Sequence, residues 1–162
     1  MNTNTSSLEL SHFPVMMNEI IKISVPSKGG IYIDCTFGGG GYSKQLLKFS
    51  KTIVNGIDRD NKVKAIGKKL EKSFPKRFKF FQTKFSQLDK IIKDQVDTII
   101  FDLGLSSIQL DDHERGFSFK SNKNLDMSMG LNKISAQDAI NNLSELELKL
   151  IIKIFGEEKE AA

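Results

Sequence analysis

Apolar positions recur along this chain in short blocks whose period alternates between two and nearly four residues. Ile31–Ile33, Thr52–Ile57, Phe78–Gln82 and Val96–Phe101 are rich in β-branched and aromatic residues, and three of the four run directly into an acid, Asp34, Asp58 or Asp102, which predicts four strands. The intervening segments carry helical spacing. Tyr42–Phe49 offers Leu46, Leu47 and Phe49 to a sheet, and Asn61–Lys72, opened by Asp60, turns Val63, Ile66 and Leu70 inward before Pro75 stops it. Ser86-Gln-Leu-Asp89 reads as a capping box for a short helix with Leu88, Ile91 and Ile92 inside. Upstream, a helix entered through Pro14 and running to Ile23 places Met16, Ile20 and Ile23 on one face, the pattern of core packing. Strands alternating with helices predict an α/β fold with a parallel, doubly wound sheet.

From Leu105 to Asn132 the periodicity disappears, and a stretch this long beyond a strand end reads as functional. Phe117 and Phe119 within it are candidates to stack on a base or to fasten the loop to the core; fastening is the commoner fate. Two helices follow with capping boxes at Ser135-Ala-Gln-Asp138 and Ser144-Glu-Leu-Glu147; the second carries an apolar face of Leu148, Ile151, Ile152 and Phe155 and stops at Gly156. In a 3-2-1-4 strand order Val96–Phe101 would be an uncovered edge although it is apolar on both faces. The pattern therefore reads as the first part of a larger enzyme.

The chemistry concentrates at Gly30–Ser43. A buried strand ends in Asp34, and Gly38–Gly41 then let the backbone turn tightly and approach a ligand. A dinucleotide fingerprint needs a glycine six positions along, where this chain has Ser43. Asp34 before the loop gives instead Asp-x-x-x-Gly-x-Gly, a form common in S-adenosylmethionine (SAM) methyltransferases. Asp58 at the tip of the second strand suits the ribose hydroxyls that SAM and NAD share. A tight turn with ordinary strand-end acids is the bland alternative.

The chain has 162 residues, enough for one domain with a core, and 39% hydrophobic and 27% charged residues, the balance of a globular protein. No apolar run is long enough for a membrane span, and the polar start lacks a secretory signal pattern, so a cytoplasmic location without membrane contact is expected. One cysteine, Cys35, excludes an internal disulfide and a cysteine zinc site, and its setting is that of a small core residue. His12 and His113 read as solvated, and no metal site is expected. The net charge of +4 comes from lysines, densest over Lys62–Lys84, a face that fits either nucleic-acid phosphates or plain solvation.

Taken together, Tyr32-Ile-Asp-Cys-Thr-Phe-Gly-Gly-Gly-Gly41, Ile57-Asp-Arg-Asp60, Phe85-Ser86, Asp102-Leu-Gly-Leu-Ser-Ser-Ile-Gln-Leu-Asp111, Arg115-Gly-Phe-Ser-Phe119 and Leu125-Asp-Met127 resemble the bacterial 16S ribosomal RNA cytosine-N4 methyltransferase family. The likeness runs from His12 to Lys159. It implies a Rossmann-like SAM methyltransferase fold, SAM as methyl donor, and 16S ribosomal RNA in the small ribosomal subunit as substrate. It also implies a parse into a leader (1–11), a SAM-binding part (12–104), an active-site loop region (105–132) and the start of an incomplete helical insert (133–162). The SAM-contacting set carried over by position is Gly40, Gly41, Tyr42, Asp58, Phe85, Asp102 and Gln109. Asp102 is the candidate catalytic residue, either orienting the N4 amine or binding the SAM amino group. Tyr42 stands where the family usually has His, Ser128 where it usually has Arg, and the family's chains run well past Ala162. Other readings are a non-catalytic SAM- or RNA-binding fragment, half of a split enzyme working with a separately encoded second half, and an NAD-type oxidoreductase, which Ser43 disfavours. The pattern leaves homodimerisation open.

Overall fold

The four strand patterns form one parallel sheet in a computed structural model of the chain, which describes residues 14–131 and 134–161. The expectations for the leader and for His12 lie outside the described residues. The order is β1 (Gly30–Asp34), β2 (Thr52–Asp58), β3 (Phe78–Gln82) and β4 (Thr98–Ile100) in sequence, and β3-β2-β1-β4 in space. All three pairings are parallel, with Tyr32 opposite Val54 and Thr98, and Val54 opposite Phe78. Helices α1 (Met17–Ser24), α2 (Gly41–Leu46), α3 (Lys64–Ser73), α4 (Leu88–Ile91), α5 (Ser107–Asp111), α6 (Ala136–Asn142) and α7 (Glu145–Phe155) complete the elements. The chain divides into two compact units, one holding the sheet through Asp58 and over Val63–Gly104, the other Arg59–Lys62 and the residues from Leu105 onward.

In the sheet unit, side chains alternate between two faces. Tyr32, Val54, Phe78, Phe80 and Ile100 are buried. Phe37 inserts among them, its ring 5.7 Å from Phe78 and 5.1 Å from Phe80. Helix α3 approaches β3 so closely that a Cβ at Gly67 would lie 2.3 Å from Phe80 Cγ. On the other face Ile33, Cys35 and Ile57 form a smaller core against Phe81, Leu88, Ile91, Ile92 and Val96. Arg77, from the lysine-rich stretch, is structural: its guanidinium donates to the Phe49 and Leu47 carbonyls at 2.9 and 3.0 Å, satisfying the orphan acceptors after α2.

Several expectations need correction. Met16 has φ 55° and precedes α1, and Ile23 is 80% exposed; Met17 is the residue of α1 that is buried. The left-handed backbone at Met16 rotates the predicted face by one position. Ser86 does not cap α4, which follows a 3-10 turn over Phe85–Gln87 with Gln87 at its N-cap and no side-chain cap bond. Helix α3 begins at Lys64, because Asp60 caps a 3-10 turn (Asn61–Val63) through the Lys62 N–H at 3.0 Å. Strand β4 is shorter than its apolar run; as the 3-2-1-4 order implied, it is an edge strand among the described residues, and Ile99 and Phe101 are exposed. The Leu105–Asn132 stretch is not devoid of structure: α5 carries a capping box, with Gln109 Oε1 accepting from the Ser106 N–H at 2.9 Å. The capping boxes at Ser135 and Ser144 form as expected. The apolar face predicted for α7 is not buried, Phe155 being 82% exposed.

Candidate cofactor-binding site

The site is built at the carboxyl ends of β1, β2 and β4, where the strand order reverses direction and α/β sheets open a crevice. Strand β1 delivers Asp34, which is fully buried. Its Oδ2 accepts the Ser43 hydroxyl at 2.7 Å, and among the described residues its Oδ1 has no hydrogen-bond partner. Burial pushes this carboxyl up to about 6, against the pull of the Ser43 hydrogen bonds and with a small push from the charge of Asp58. The loop turns through Gly38 (φ 49°) and Gly40 (φ 75°), left-handed positions that only glycine occupies freely. The Gly38 N–H donates to Asp58 Oδ2 at 2.8 Å, clasping the loop to the tip of β2. A Cβ at Gly39 would meet nothing within 4 Å, so the crest of the loop faces open space.

Asp102 reaches the same end of the sheet from β4. Its N–H donates to Thr36 Oγ1 at 2.8 Å, and its Oδ2 lies 3.4 Å from the Tyr42 hydroxyl, which also donates to the Val15 carbonyl. Tyr42 is buried, and burial together with the charges of Asp102 and Asp34 pushes its phenol up to about 12, so it stays a donor. Phe85 stands edge-on to Phe101 at 5.4 Å and borders an apolar hollow of about 360 Å³ with Ile33, Leu88, Ile92, Val96 and Ile99. Cys35 is buried and its thiol is pushed up to about 11 by burial and by Asp34, the state of a core residue.

Thus the sheet unit brings together the glycine loop, Tyr42, Asp58 and Asp102, with Phe85 beside Phe101. Gln109 belongs to the second unit, where it is buried and its Nε2 donates to Asp60 Oδ2 at 3.1 Å. Asp60 is the hub there: the same oxygen accepts Arg115 Nη1 at 2.8 Å in a buried ion pair. Arg115 Nη2 donates to the Ser128 carbonyl at 2.7 Å, and its guanidinium lies 5.0 Å from the Phe117 ring. The Ser128 hydroxyl donates to Asp126 Oδ2 at 3.0 Å. Sequence reasoning missed this Asp60–Arg115 brace, because nothing in a 55-residue separation marks a pair. It also missed the Asp34–Ser43 bond; Ser43 registered only as the residue that breaks a dinucleotide pattern.

A doubly wound parallel sheet with a glycine loop clasped to a strand-tip acid defines the class of nucleotide-cofactor-binding α/β proteins. Residues 9–162 match the model of the MraW methylase family, and the chain belongs to that family. Proteins described as ribosomal RNA small subunit methyltransferase H are its relatives. That of Ehrlichia ruminantium is 42% identical over 154 residues, covering 91% of this chain and 51% of that protein. That of Maricaulis maris is 42% identical over 154 residues (93% and 46%), and that of Parvibaculum lavamentivorans 37% identical over 165 (99% and 49%). The chain spans about half the length of the curated relatives it matches. The sheet is the Rossmann-like methyltransferase fold that the sequence blocks implied. No helix among the described residues is long and apolar enough to cross a membrane.

Proposed function

We propose that this chain supplies the SAM-binding part of a cytoplasmic methyltransferase acting on the exocyclic N4 amine of a cytidine in 16S ribosomal RNA, in the small subunit. The observation that carries the reading is the clasp of Gly38 on Asp58, which holds a carboxylate at the β2 tip beside a loop that is open above Gly39. The residues fit the cofactor in charge as well. Asp34, Asp58 and Asp102 give this end of the sheet a negative field; burial is the main reason Asp34 and Tyr42 are raised, and the neighbouring carboxylates add to it. Such a field favours a sulfonium and an ammonium over a pyrophosphate.

In this reading the amides of Gly40, Gly41 and Tyr42 receive the methionine carboxylate. Helix α2 has only six residues, so these loop amides outweigh any helix dipole. Asp58 accepts the ribose hydroxyls, Phe85 offers an edge to the adenine, and Asp102 serves the reactive end, to which Gln109 is assigned by the family resemblance alone. Bound SAM contributes an electrophilic methyl. Transfer of that methyl to N4 would leave sulfur neutral and a surplus proton on the nitrogen, which Asp102 or solvent would take up. Because the amine lone pair is delocalised into the ring, the protein's part is to hold it at near-attack distance and accept a hydrogen bond from its proton. Asp102, exposed and anchored through Thr36, is the acceptor we assign. The base has to leave its stack to arrive there.

A second reading is favoured by the open edge of the sheet: among the described residues β4 pairs only with β1, and Ile99 and Phe101 are exposed beside it. Here the chain binds SAM or RNA without turnover, or works only when that edge is covered by a second polypeptide or a second copy. Methyl transfer from radiolabelled SAM to small ribosomal subunits separates the two. Label in the cytidine N4 position with the purified chain alone supports the first. Label only when the remaining half of a relative is added supports the second, and none in either case refutes catalysis.

A further inference from the structure

Phe119 is the residue whose placement the fold does not explain. It is 111% exposed, while its neighbour Phe117 is packed under the Arg115 guanidinium. Of the two loop aromatics, only Phe117 fastens the segment. Phe119 nevertheless does not dangle. Its turn is closed by the Ser121 N–H on the Ser118 carbonyl at 2.9 Å and by the Lys120 N–H on the Ser118 hydroxyl at 3.2 Å. The Ser121 hydroxyl donates to the His113 carbonyl, tying the far side of the turn to the preceding 3-10 segment.

The base of the turn is equally determined. Gly116 takes φ 73°, where a Cβ would lie 2.9 Å from the Asn124 carbonyl oxygen. The Met127 N–H donates to the Arg115 carbonyl at 2.8 Å, and the Arg115 side chain is held by Asp60 and Ser128. A rigid stem thus presents one aromatic ring to solvent. Two exposed lysines follow the ring in the turn: Lys120 has no ion pair among the described residues, and Lys123 pairs with Glu114 at 3.5 Å.

An exposed, anchored aromatic followed at once by an unpaired lysine is an arrangement by which proteins hold single-stranded nucleic acid. The ring stacks on a base face and the ammonium groups follow the phosphates. We infer that the Phe117–Lys123 turn is a contact for an unpaired stretch of RNA, Phe119 stacking on one base and Lys120 pairing with an adjacent phosphate. This rests on the reading of the chain as acting on ribosomal RNA, and adds to it a binding element outside the cofactor site. Stacking tolerates any base, so the turn adds hold on an open strand and leaves the choice of cytidine to other residues.

The test is fluorescence anisotropy of a labelled, unstructured RNA oligonucleotide with the full 162-residue chain over a series of salt concentrations. Phe119→Leu weakens binding about 5- to 150-fold at every salt concentration and leaves the salt slope unchanged; Phe119→Trp keeps wild-type affinity. Lys120→Ala lowers the slope by about 0.7, the value for one single-strand phosphate contact. Because Phe119 touches nothing that holds the fold, circular dichroism of both variants matches the wild type. Wild-type binding that Phe119→Leu leaves within twofold overturns this inference while the RNA reading stands. Wild-type chain that does not bind RNA overturns both. A Phe119→Leu variant that binds RNA normally but loses self-association assigns the ring to a protein contact instead, and overturns the inference as well.

Discussion

Replacing Asp34 with Asn isolates what it costs to keep a strand-end acid inside the sheet. The carboxyl is wholly buried, accepts the Ser43 hydroxyl at 2.7 Å through Oδ2, and leaves Oδ1 unpartnered among the described residues. Burial lifts it from 3.8 to about 6, the Ser43 bonds opposing and Asp58 adding to the rise. A carboxyl raised on folding makes the native chain hold more protons than the unfolded chain between those values. Stability therefore falls as pH rises through that window and is flat above it. Ionising Asp34 within the fold costs about 3 kcal/mol at neutral pH. Asn cannot ionise, so the stability of wild type relative to Asp34→Asn drops by about 2 kcal/mol between pH 4 and pH 7.5. Any constant penalty from an unpartnered Asn amide cancels in that difference. The chain has two tyrosines and no tryptophan, and Tyr32 and Tyr42 both lie in the sheet unit. Urea unfolding followed by tyrosine emission at several pH values therefore reports on this unit. Parallel pH profiles for the two proteins would refute the reasoning.

Three further outcomes follow from named contacts. Arg115→Ala leaves Asp60 buried without its cation and destabilises the Asp60-centred segment by about 3–5 kcal/mol; amide hydrogen exchange over residues 105–131 should accelerate. Burial opposes the ionisation of Asp60, but the Lys62 N–H, Arg115 and Gln109 outweigh it and hold the carboxyl below its usual range. The brace is thus complete at neutral pH and is lost as pH falls below about 4. Gly67→Ala drives a methyl against the Phe80 ring, which Phe37 hems in at 5.1 Å. Overpacking of about 1–3 kcal/mol outweighs the roughly 1 kcal/mol gained in helix propensity and lowers the urea midpoint. Cys35, with its thiol at about 11, should resist a thiol reagent at pH 8 until urea is added.

The parallel sheet was legible because each strand is a short run rich in β-branched and aromatic residues, and burial on the sheet needs little beyond that. The strand-end acids Asp34 and Asp58 were legible for the same reason: they sit where an apolar run stops. Less was visible where backbone geometry or distant partners decide. The left-handed turn at Met16 shifts the buried position of α1 to Met17, a change no periodicity carries. Ser86 has the residue types of a capping box, yet the chain there tightens into a 3-10 turn. Ser106-Ser-Ile-Gln109 has the same signature and does form one, but it lay inside a stretch read as aperiodic. The Asp60–Arg115 pair, which organises that stretch, joins residues far apart in sequence.

The most direct test of the cofactor site is calorimetric titration of SAM into the purified 162-residue chain, with Asp58→Ala alongside. Saturable binding near one equivalent, lost in Asp58→Ala while the circular dichroism spectrum is retained, is the expected result. A folded chain that takes up no SAM, or an Asp58→Ala variant that binds it as well as wild type, would contradict a cradle made by the glycine loop and the tip of β2.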